Sequence, residues 1–171
     1  YLNGHKVGWM RVQVLLEGDQ ASFATDLDAQ VGGLGKVSRV ELRERRVFDR
    51  KTGKLHRVSF EQGAATGSVT VEGTAKDGVL NLKVTAGKQV TERSLPVVET
   101  LADVLSLKTI ALNGKVGTTQ TIKHFDASVL KDVTVEYRVE ELETRMFGGV
   151  ETKTLRLKTN YPELGIQEES W

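Results

Sequence analysis

The feature of this sequence that most constrains its fold is a period-two alternation of apolar and polar side chains. It recurs along most of the 171 residues. The row Met10, Val12, Val14 and Leu16 begins the pattern, and the row Val133, Val135 and Val139 repeats it late in the chain. Successive side chains of a β-strand point to opposite faces, so this pattern predicts strands with one apolar face. We expect both rows to face the interior.

Turn signals separate the alternating runs. The pair Gly18-Asp19 follows the first run, and Asp77-Gly78 stands between two others as a strong hairpin signal. Further turns are predicted at 49–55 and 85–90. Strands are predicted at about 39–49, 54–62, 118–126, 132–146 and 150–160, and the stretch LGIQEESW resembles a final strand. The sequence therefore predicts roughly ten strands, mostly antiparallel.

One segment has a different period. Apolar residues between 97 and 113 follow helical spacing, and Gly114 is a plausible stop. No repeated strand–helix–strand pattern occurs, so a parallel nucleotide-binding sheet is not expected. The predicted fold is mainly β: a strongly curved antiparallel sheet, or half-barrel, with the one helix packed on its concave face or open end.

The run at 39–49 departs from simple alternation. Val40, Leu42 and Phe48 share a face that Glu44 and Arg46 interrupt. A bulge near Arg45 would explain this phase break, and so would a strand that extends past the edge of the sheet. The sequence leaves both explanations open.

Composition narrows the function classes. The length fits a single β-rich domain over residues 1–171, which we interpret as an excised part of a longer exported protein. A net charge of +1 gives no global attraction to nucleic acid, and no apolar run is long enough to span a bilayer. The absence of cysteine excludes disulfides and a thiol nucleophile. No cofactor or metal is expected.

Charge is unevenly distributed along the chain. Residues 36–58 carry nine Lys and Arg against three Asp and Glu. A solvated strand face is the preferred interpretation of this basic run. A surface for an anion or a lipid headgroup is the alternative, in which only Arg43 and Arg45 of the RERR stretch would cooperate because alternate residues share a face.

Two polar clusters resemble sites but fail on geometry. His124, Asp126 and Ser128 are triad residue types, yet residues two apart on a strand lie about 6–7 Å apart, too far for a hydrogen-bonded relay. Asp26 and Asp28 share a face but lack the ligand number that calcium requires, so they indicate a solvated surface. GGLG at 32–35 lacks nucleotide-loop spacing and is interpreted as a connector. We therefore predict no catalytic residue.

Apolar residues offer one candidate binding site. Trp9 lies opposite the Met10 row, where it either packs beneath a neighbouring element or lines a groove. Leu101 and Leu105 lie on the predicted helix. Together these three residues could line a pocket for a lipid or acyl chain between the concave sheet and the helix.

The order of motifs also resembles a known family. The stretches YLNGHKVGWMRVQV, VFDRKTGKLHRVSFEQ and FDASVLKDVTVEYRVEELETRMFGGVETKTLRLK are similar to the N-terminal β-rich regions of bacterial secreted transglutaminase-like proteins and related uncharacterised envelope proteins. The resemblance implies a non-catalytic domain with a half-barrel like that of periplasmic lipoprotein carriers. Any catalytic Cys, His and Asp would lie in a downstream domain.

Two functions follow as expectations. The first is a structural or protein-interaction module of an exported, periplasmic protein, whose partner is a downstream domain or another envelope protein. The alternative is a carrier of an apolar ligand. Neither involves nucleic acid or a transmembrane segment.

Overall fold

The computed structural model of the chain describes residues 8–33, 36–64, 67–147 and 149–170. Within these residues it contains eleven strands and one helix. Positions 34–35 of the predicted connector and Trp171, at the end of the predicted final strand, lie outside the described residues. The fold is mainly β, as predicted.

The strands form two antiparallel sheets, so the prediction of one continuous sheet is wrong. The first has the order β1-β2-β3-β4-β5-β6-β7 and the second β11-β10-β9-β8. The seven strands of the first sheet are β1 (Gly8–Glu17), β2 (Gln20–Gly33), β3 (Lys36–Asp49), β4 (Leu55–Ala64), β5 (Gly67–Lys76), β6 (Val79–Ala86) and β7 (Gln89–Pro96). Helix α1 (Leu101–Asn113) follows. The second sheet comprises β8 (Thr119–Asp126), β9 (Lys131–Phe147), β10 (Val150–Tyr161) and β11 (Ile166–Ser170).

Tight turns connect the strands of the first sheet. Asp77 and Gly78 both have positive φ, 52° and 79°, as a type I′ turn requires. Gly18 has a φ of 53° at the first central position of the turn between β1 and β2, which is the place of glycine in a type II′ turn. Both predicted hairpins are confirmed.

The turn between β3 and β4 is held by a side chain. The Asp49 carboxylate accepts hydrogen bonds from the backbone N–H and hydroxyl of Thr52 and from the N–H of Lys51, over 2.7–2.9 Å. The bonds from Thr52, chiefly the one from its backbone, lower the pKa of Asp49 below its ordinary value. The charged carboxylate therefore stabilises this turn.

Two compact units divide the chain. One unit ends at Val97 and also takes in Ala127–Val129; the other comprises Val98–Asp126 and continues from Leu130. Each unit buries its own apolar residues. In the first, the core residues are Ala21, Phe48, Leu55, Val58, Phe60, Val71, Leu80, Leu82 and Val84. The prediction of a single domain stays a prediction.

The second unit confirms the alternation of β9. Val133, Val135 and Val139 are at most 1% exposed, whereas Glu136 and Arg138 face solvent. The three valines form a core cluster with Ile110 of α1 and Ile122 of β8. The helix thus packs within this unit, and its predicted place on the concave face or open end of a curved sheet stays a prediction.

Helix α1 begins four residues later than predicted. Thr100 is its N-cap: the Thr100 hydroxyl accepts a hydrogen bond from the Asp103 N–H, and the Asp103 carboxylate accepts one from the Thr100 N–H. This reciprocal capping box satisfies two N–H groups at the start of the helix. The predicted stop at Gly114 is confirmed, because the Gly114 N–H bonds the Ile110 carbonyl at 2.7 Å.

The prediction that the apolar row of the first strand faces the interior is wrong. Met10, Val12, Val14 and Leu16 share a side with the buried Ala21, as the alternation requires. They are nevertheless 67%, 60%, 48% and 61% exposed. Because β1 is an edge strand, its apolar row has β2 on one side and no described strand on the other.

Strand β3 keeps its alternation, and the bulge lies elsewhere. Its register with β2 is continuous, but its register with β4 shifts between Val47 and Phe48, where His56 of β4 is the extra residue. Glu44 and Arg46 therefore do lie on the apolar face. They form an ion pair of 2.7 Å, and their side chains are only 20% and 12% exposed. Pairing is what makes their partial burial tolerable.

Candidate functional site

The polar face of the seven-stranded sheet encloses a cavity of about 930 Å³. Its lining includes Glu17 of β1 and Ser94 of β7, the two edge strands of that sheet. Residues from all the intervening strands complete it. Since both edges line one cavity, the sheet curves around its polar face. We refer to this cavity as the polar trough.

The strand registers order the floor of the polar trough into two lateral rows. Directly opposed residues on neighbouring strands form the charged row, which consists of Arg45, Ser59, Glu72, Lys83 and Glu92. Two positions further along the strands, on the same face, directly opposed residues form a second row, which we call the hydroxyl-amide row. It consists of Ser22, Val47, Arg57, Thr74, Asn81 and Ser94. Neighbouring strands lie about 4.8 Å apart, so each row is a closely spaced series of polar groups.

Both signs of charge line the polar trough. Among the described residues, the cations on its face of the sheet are Arg45, Arg57 and Lys83, and the anions are Glu17, Glu72 and Glu92; Arg93 also borders it but lies opposite the buried Leu82, on the apolar face. Lys83 lies between Glu72 and Glu92 in register. In the described part of the chain, the side chains of Arg57 and Lys83 form no hydrogen bond or ion pair. Their donors are available to a ligand.

Two details shape the trough at its β4 side. His56, the extra residue of the bulge, is exposed and lines the cavity. Arg45 reaches towards the buried Ser22, with 3.5 Å between Nη2 and Oγ. Among the described residues that line the trough, His56 has the one ring side chain, and no Phe, Tyr or Trp is present. Stacking of a flat ligand on aromatic side chains therefore plays little part here.

Sequence reasoning missed these rows, although part of the signal was present. The two-residue turns at Asp77-Gly78 and Gly87-Lys88 set the register of β5, β6 and β7. That register by itself places Glu72, Lys83 and Glu92 side by side. The contributions of β2 to β4 depend on the bulge at His56, which no local pattern announced.

The predicted apolar liners lie elsewhere. Trp9 is 47% exposed on β1, on the side opposite Met10. Leu101 is half-buried at the first position of α1, and Leu105 is 37% exposed. None of the three lines the polar trough or a second, smaller cavity of about 370 Å³ on the four-stranded sheet. Their role in ligand binding stays a prediction.

Several cations of the basic run at 36–58 pair with carboxylates. Arg39 bonds Asp28 at 2.6 Å and Lys51 bonds Asp19 at 2.7 Å, and Arg43 lies 3.9 Å from Glu61. Arg43 and Arg45 do share a face, but only Arg45 lines the trough. These pairs favour the solvated-face interpretation.

The carboxylates of β2 are held by arginines. Arg11 bonds Asp26 at 2.7 Å, and the hydrogen bond from Arg39 lowers the pKa of Asp28. Among the described residues, no group of three or more His, Cys, Asp or Glu is placed to hold a metal ion. His124 and Asp126 lie two apart on the extended strand β8, the arrangement on which the triad was rejected.

No helix in the described ranges is long and apolar enough to cross a membrane.

Comparison with known proteins gives a likeness of fold. No protein-family model matches this chain, and no curated protein matches it. A crystal structure of a β-barrel-like protein of domain of unknown function DUF1849 from Brucella abortus is similar, with a TM-score of 0.56 and 13% identity over 93% of this chain and 72% of that one. A DUF1089 family protein from Pseudomonas aeruginosa aligns with a TM-score of 0.44 and 16% identity, over 97% of this chain and 84% of that one. The chain is therefore similar in fold to a protein of unknown function that is described as β-barrel-like, and the resemblance to transglutaminase-like proteins stays a prediction.

Proposed function

We propose that this chain is a non-catalytic protein-interaction module that receives a polar, mixed-charge segment of a partner protein in its polar trough. The observation that carries this proposal is the charged row, in which Arg45, Glu72, Lys83 and Glu92 present alternating signs across four strands. Complementary patterns of charge give protein interfaces their specificity.

The size and lining of the trough support a polypeptide over a small apolar molecule. Sites for small ligands are mostly apolar with a few polar groups, whereas polar side chains predominate in the lining of this trough. The trough's volume of about 930 Å³ accommodates a short extended segment. The cations without internal partners, such as Arg57 and Lys83, supply donors for carboxylates of that segment.

The test uses three labelled peptides of equal length, one with mixed Glu and Lys, one of Glu alone and one of Lys alone. Fluorescence anisotropy should show saturable binding of the mixed peptide, stronger than that of either other peptide and weakened by salt, because the row offers both signs. Saturation by none of the three would contradict the proposal.

A charge reversal localises the binding. Lys83→Glu turns the centre of the charged row into three adjacent glutamates, so the mixed peptide should bind about tenfold more weakly and the Lys peptide more tightly. Lys76→Glu, the same change at an exposed position of β5 outside the trough, is the matched control. Equal effects of the two variants would count against the trough as the binding surface.

The location of the module is a separate part of the proposal. We place it in an exported protein of the bacterial envelope on the strength of its sequence resemblance to secreted and envelope proteins. Osmotic-shock fractionation of the encoding bacterium should release the protein with periplasmic markers. Recovery with cytoplasmic markers alone would overturn this part and leave the binding proposal standing.

An apolar ligand is the alternative, and one observation favours it. Leu105 of α1 and Val98 before the helix are 37% and 42% exposed, so this region has apolar surface to offer. A fluorescent fatty acid would then bind saturably, Leu105→Lys would abolish that binding, and the mixed peptide would not compete. Absence of saturable fatty-acid binding would exclude this alternative.

A further inference from the structure

Strand β1 is an exposed edge of the seven-stranded sheet. Apart from Gly8, every one of its residues is exposed, including Trp9, Leu15 and the apolar row from Met10 to Leu16. It pairs with β2 over ten residues without a register shift. A long edge strand rich in exposed apolar residues is a template for pairing with another strand.

The opposite edge of the same sheet differs. Strand β7 is shorter, with eight residues against ten, and ends at Pro96, which disfavours strand addition. Strand β1 has no Lys, no Pro and no bulge. Each edge carries two charged residues, Arg11 and Glu17 on β1 and Glu92 and Arg93 on β7, so the two edges differ in length and in the proline.

The hairpin geometry fixes which backbone groups of β1 are free. In a two-residue hairpin the flanking residues, here Glu17 and Gln20, exchange both backbone hydrogen bonds. Because paired and unpaired positions alternate along an antiparallel strand, the odd-numbered residues of β1 bond β2. The even-numbered residues, among them Val12, Val14 and Leu16, direct their N–H and C=O groups outward.

We propose that two copies of this chain associate through antiparallel pairing of their β1 strands, with Val14 on the two-fold axis. In this register Val14 exchanges backbone hydrogen bonds with the partner's Val14, and Val12 does so with the partner's Leu16. Outward-facing groups therefore meet outward-facing groups along the whole overlap. A C2 contact of this kind is self-complementary.

Charge complementarity selects this register. It places Arg11 directly opposite the partner's Glu17, and symmetry repeats the pair. A two-fold at Gln13 would face Arg11 with the partner's Leu15, and one at Val12 would face it with the partner's Gln13. The Arg11 side chain is 59% exposed while bonded to Asp26, so its guanidinium can donate to a second carboxylate as well.

Sedimentation velocity over a concentration series tests the proposal on the intact chain. The unmodified protein should pass from monomer to dimer as its concentration rises. Arg11→Glu and Glu17→Arg each place like charges opposite one another twice, and each should weaken self-association about tenfold. A protein that stays monomeric throughout the series would overturn the proposal.

Mixing the two variants gives the sharper result. In the mixed dimer, the glutamate introduced at position 11 of one copy faces the arginine introduced at position 17 of the other. The unchanged Arg11 faces the unchanged Glu17, so association should return to that of the unmodified protein. Failure of the mixture to associate, with both variants folded by circular dichroism, would contradict this register. Arg43→Glu, the same change on the interior strand β3 with loss of the ion pair to Glu61, should leave self-association unchanged.

Amide hydrogen exchange provides a readout that does not depend on substitution. Dimerisation should protect the N–H groups of Val12, Val14 and Leu16, while the odd-numbered amides of β1 are already protected by β2. Unchanged exchange at the three even-numbered positions between dilute and concentrated protein would overturn the proposed pairing.

Discussion

Gly73 of β5 lies where only a residue without a side chain fits. A Cβ at this position would come within 2.6 Å of Val58 Cγ1 and 2.7 Å of Leu82 Cδ2, and both of these side chains are buried. Its backbone conformation is an ordinary extended one, so the constraint is one of space. The core between β4 and β6 closes over the glycine.

We therefore expect Gly73→Ala to lower the free energy of unfolding by about 1–3 kcal/mol through overpacking. Denaturant unfolding followed by circular dichroism measures the change. Gly63→Ala is the matched control, since its Cβ would meet only Glu41 Cβ, at 3.9 Å. A loss no larger at Gly73 than at Gly63 would show that the core yields to the methyl group.

Asp49 makes the stability of the β3–β4 turn depend on pH. Its pKa is lower in the folded chain, chiefly because of the backbone hydrogen bond from Thr52. A lowered folded pKa contributes stability above the unfolded pKa, and that stability is lost as the pH falls through the folded pKa.

The difference in stability between the unmodified protein and Asp49→Asn should accordingly be constant near neutral pH and shrink as the pH falls below about 4. Unfolding curves recorded at a series of pH values measure it. A difference that does not change with pH would mean that the charge of Asp49 contributes nothing to the turn.

At the scale of elements, helix α1 depends on its capping box. Thr100→Ala removes the hydroxyl that accepts the Asp103 N–H and should lower the free energy of unfolding by about 1 kcal/mol. Thr109→Ala is the control on the same helix, because the Thr109 hydroxyl only bonds the Leu105 carbonyl one turn back. Equal losses at the two positions would argue against a specific role of the cap.

Strands β1 and β9 illustrate how one pattern has two outcomes. Both alternate apolar and polar residues, yet Val14 is 48% exposed and Val135 is fully buried. Strand β9 has β8 and β10 on its two sides and a helix residue, Ile110, packed on its apolar row, whereas β1 has β2 alone. Alternation shows which side of a strand is apolar, and neighbours decide whether that side is buried.

At the scale of the whole molecule, the two cores raise the question of cooperativity. The chain passes between its compact units three times, after Val97, Asp126 and Val129. A chain that returns to the first unit in this way is expected to unfold as one body, in agreement with the prediction of a single domain.

Val58→Ala and Val135→Ala test this expectation, since each removes a fully buried side chain from a different unit. Both should lower the midpoint of one shared unfolding transition, each costing roughly 2 kcal/mol. Val150→Ala, at an exposed position, should have little effect. Two separate transitions, each shifted by only one variant, would show that the units unfold independently.

Much of the fold could be predicted from sequence, and less of the candidate site. Strand positions, the turns at Gly18 and Asp77 and the end of α1 at Gly114 follow from local patterns and were confirmed. The start of α1 was missed because the apolar spacing of 97–105 outweighed the capping signal of Thr100 and Asp103. The polar trough was missed because it depends on lateral register over seven strands.

The sequence by itself determined where this chain extends, where it turns and which side of each strand is apolar. These properties depend on residues within a few positions of one another, through the pleat of the strand and the conformation of each turn. Only the tertiary structure decided that the eleven strands of the described residues divide into sheets of seven and four, that the Met10 row stays exposed and that Arg45 and Glu92 share one row. Edge pairing and burial are contacts between distant segments, and every antiparallel edge offers the same backbone groups, so local pattern alone does not select among them.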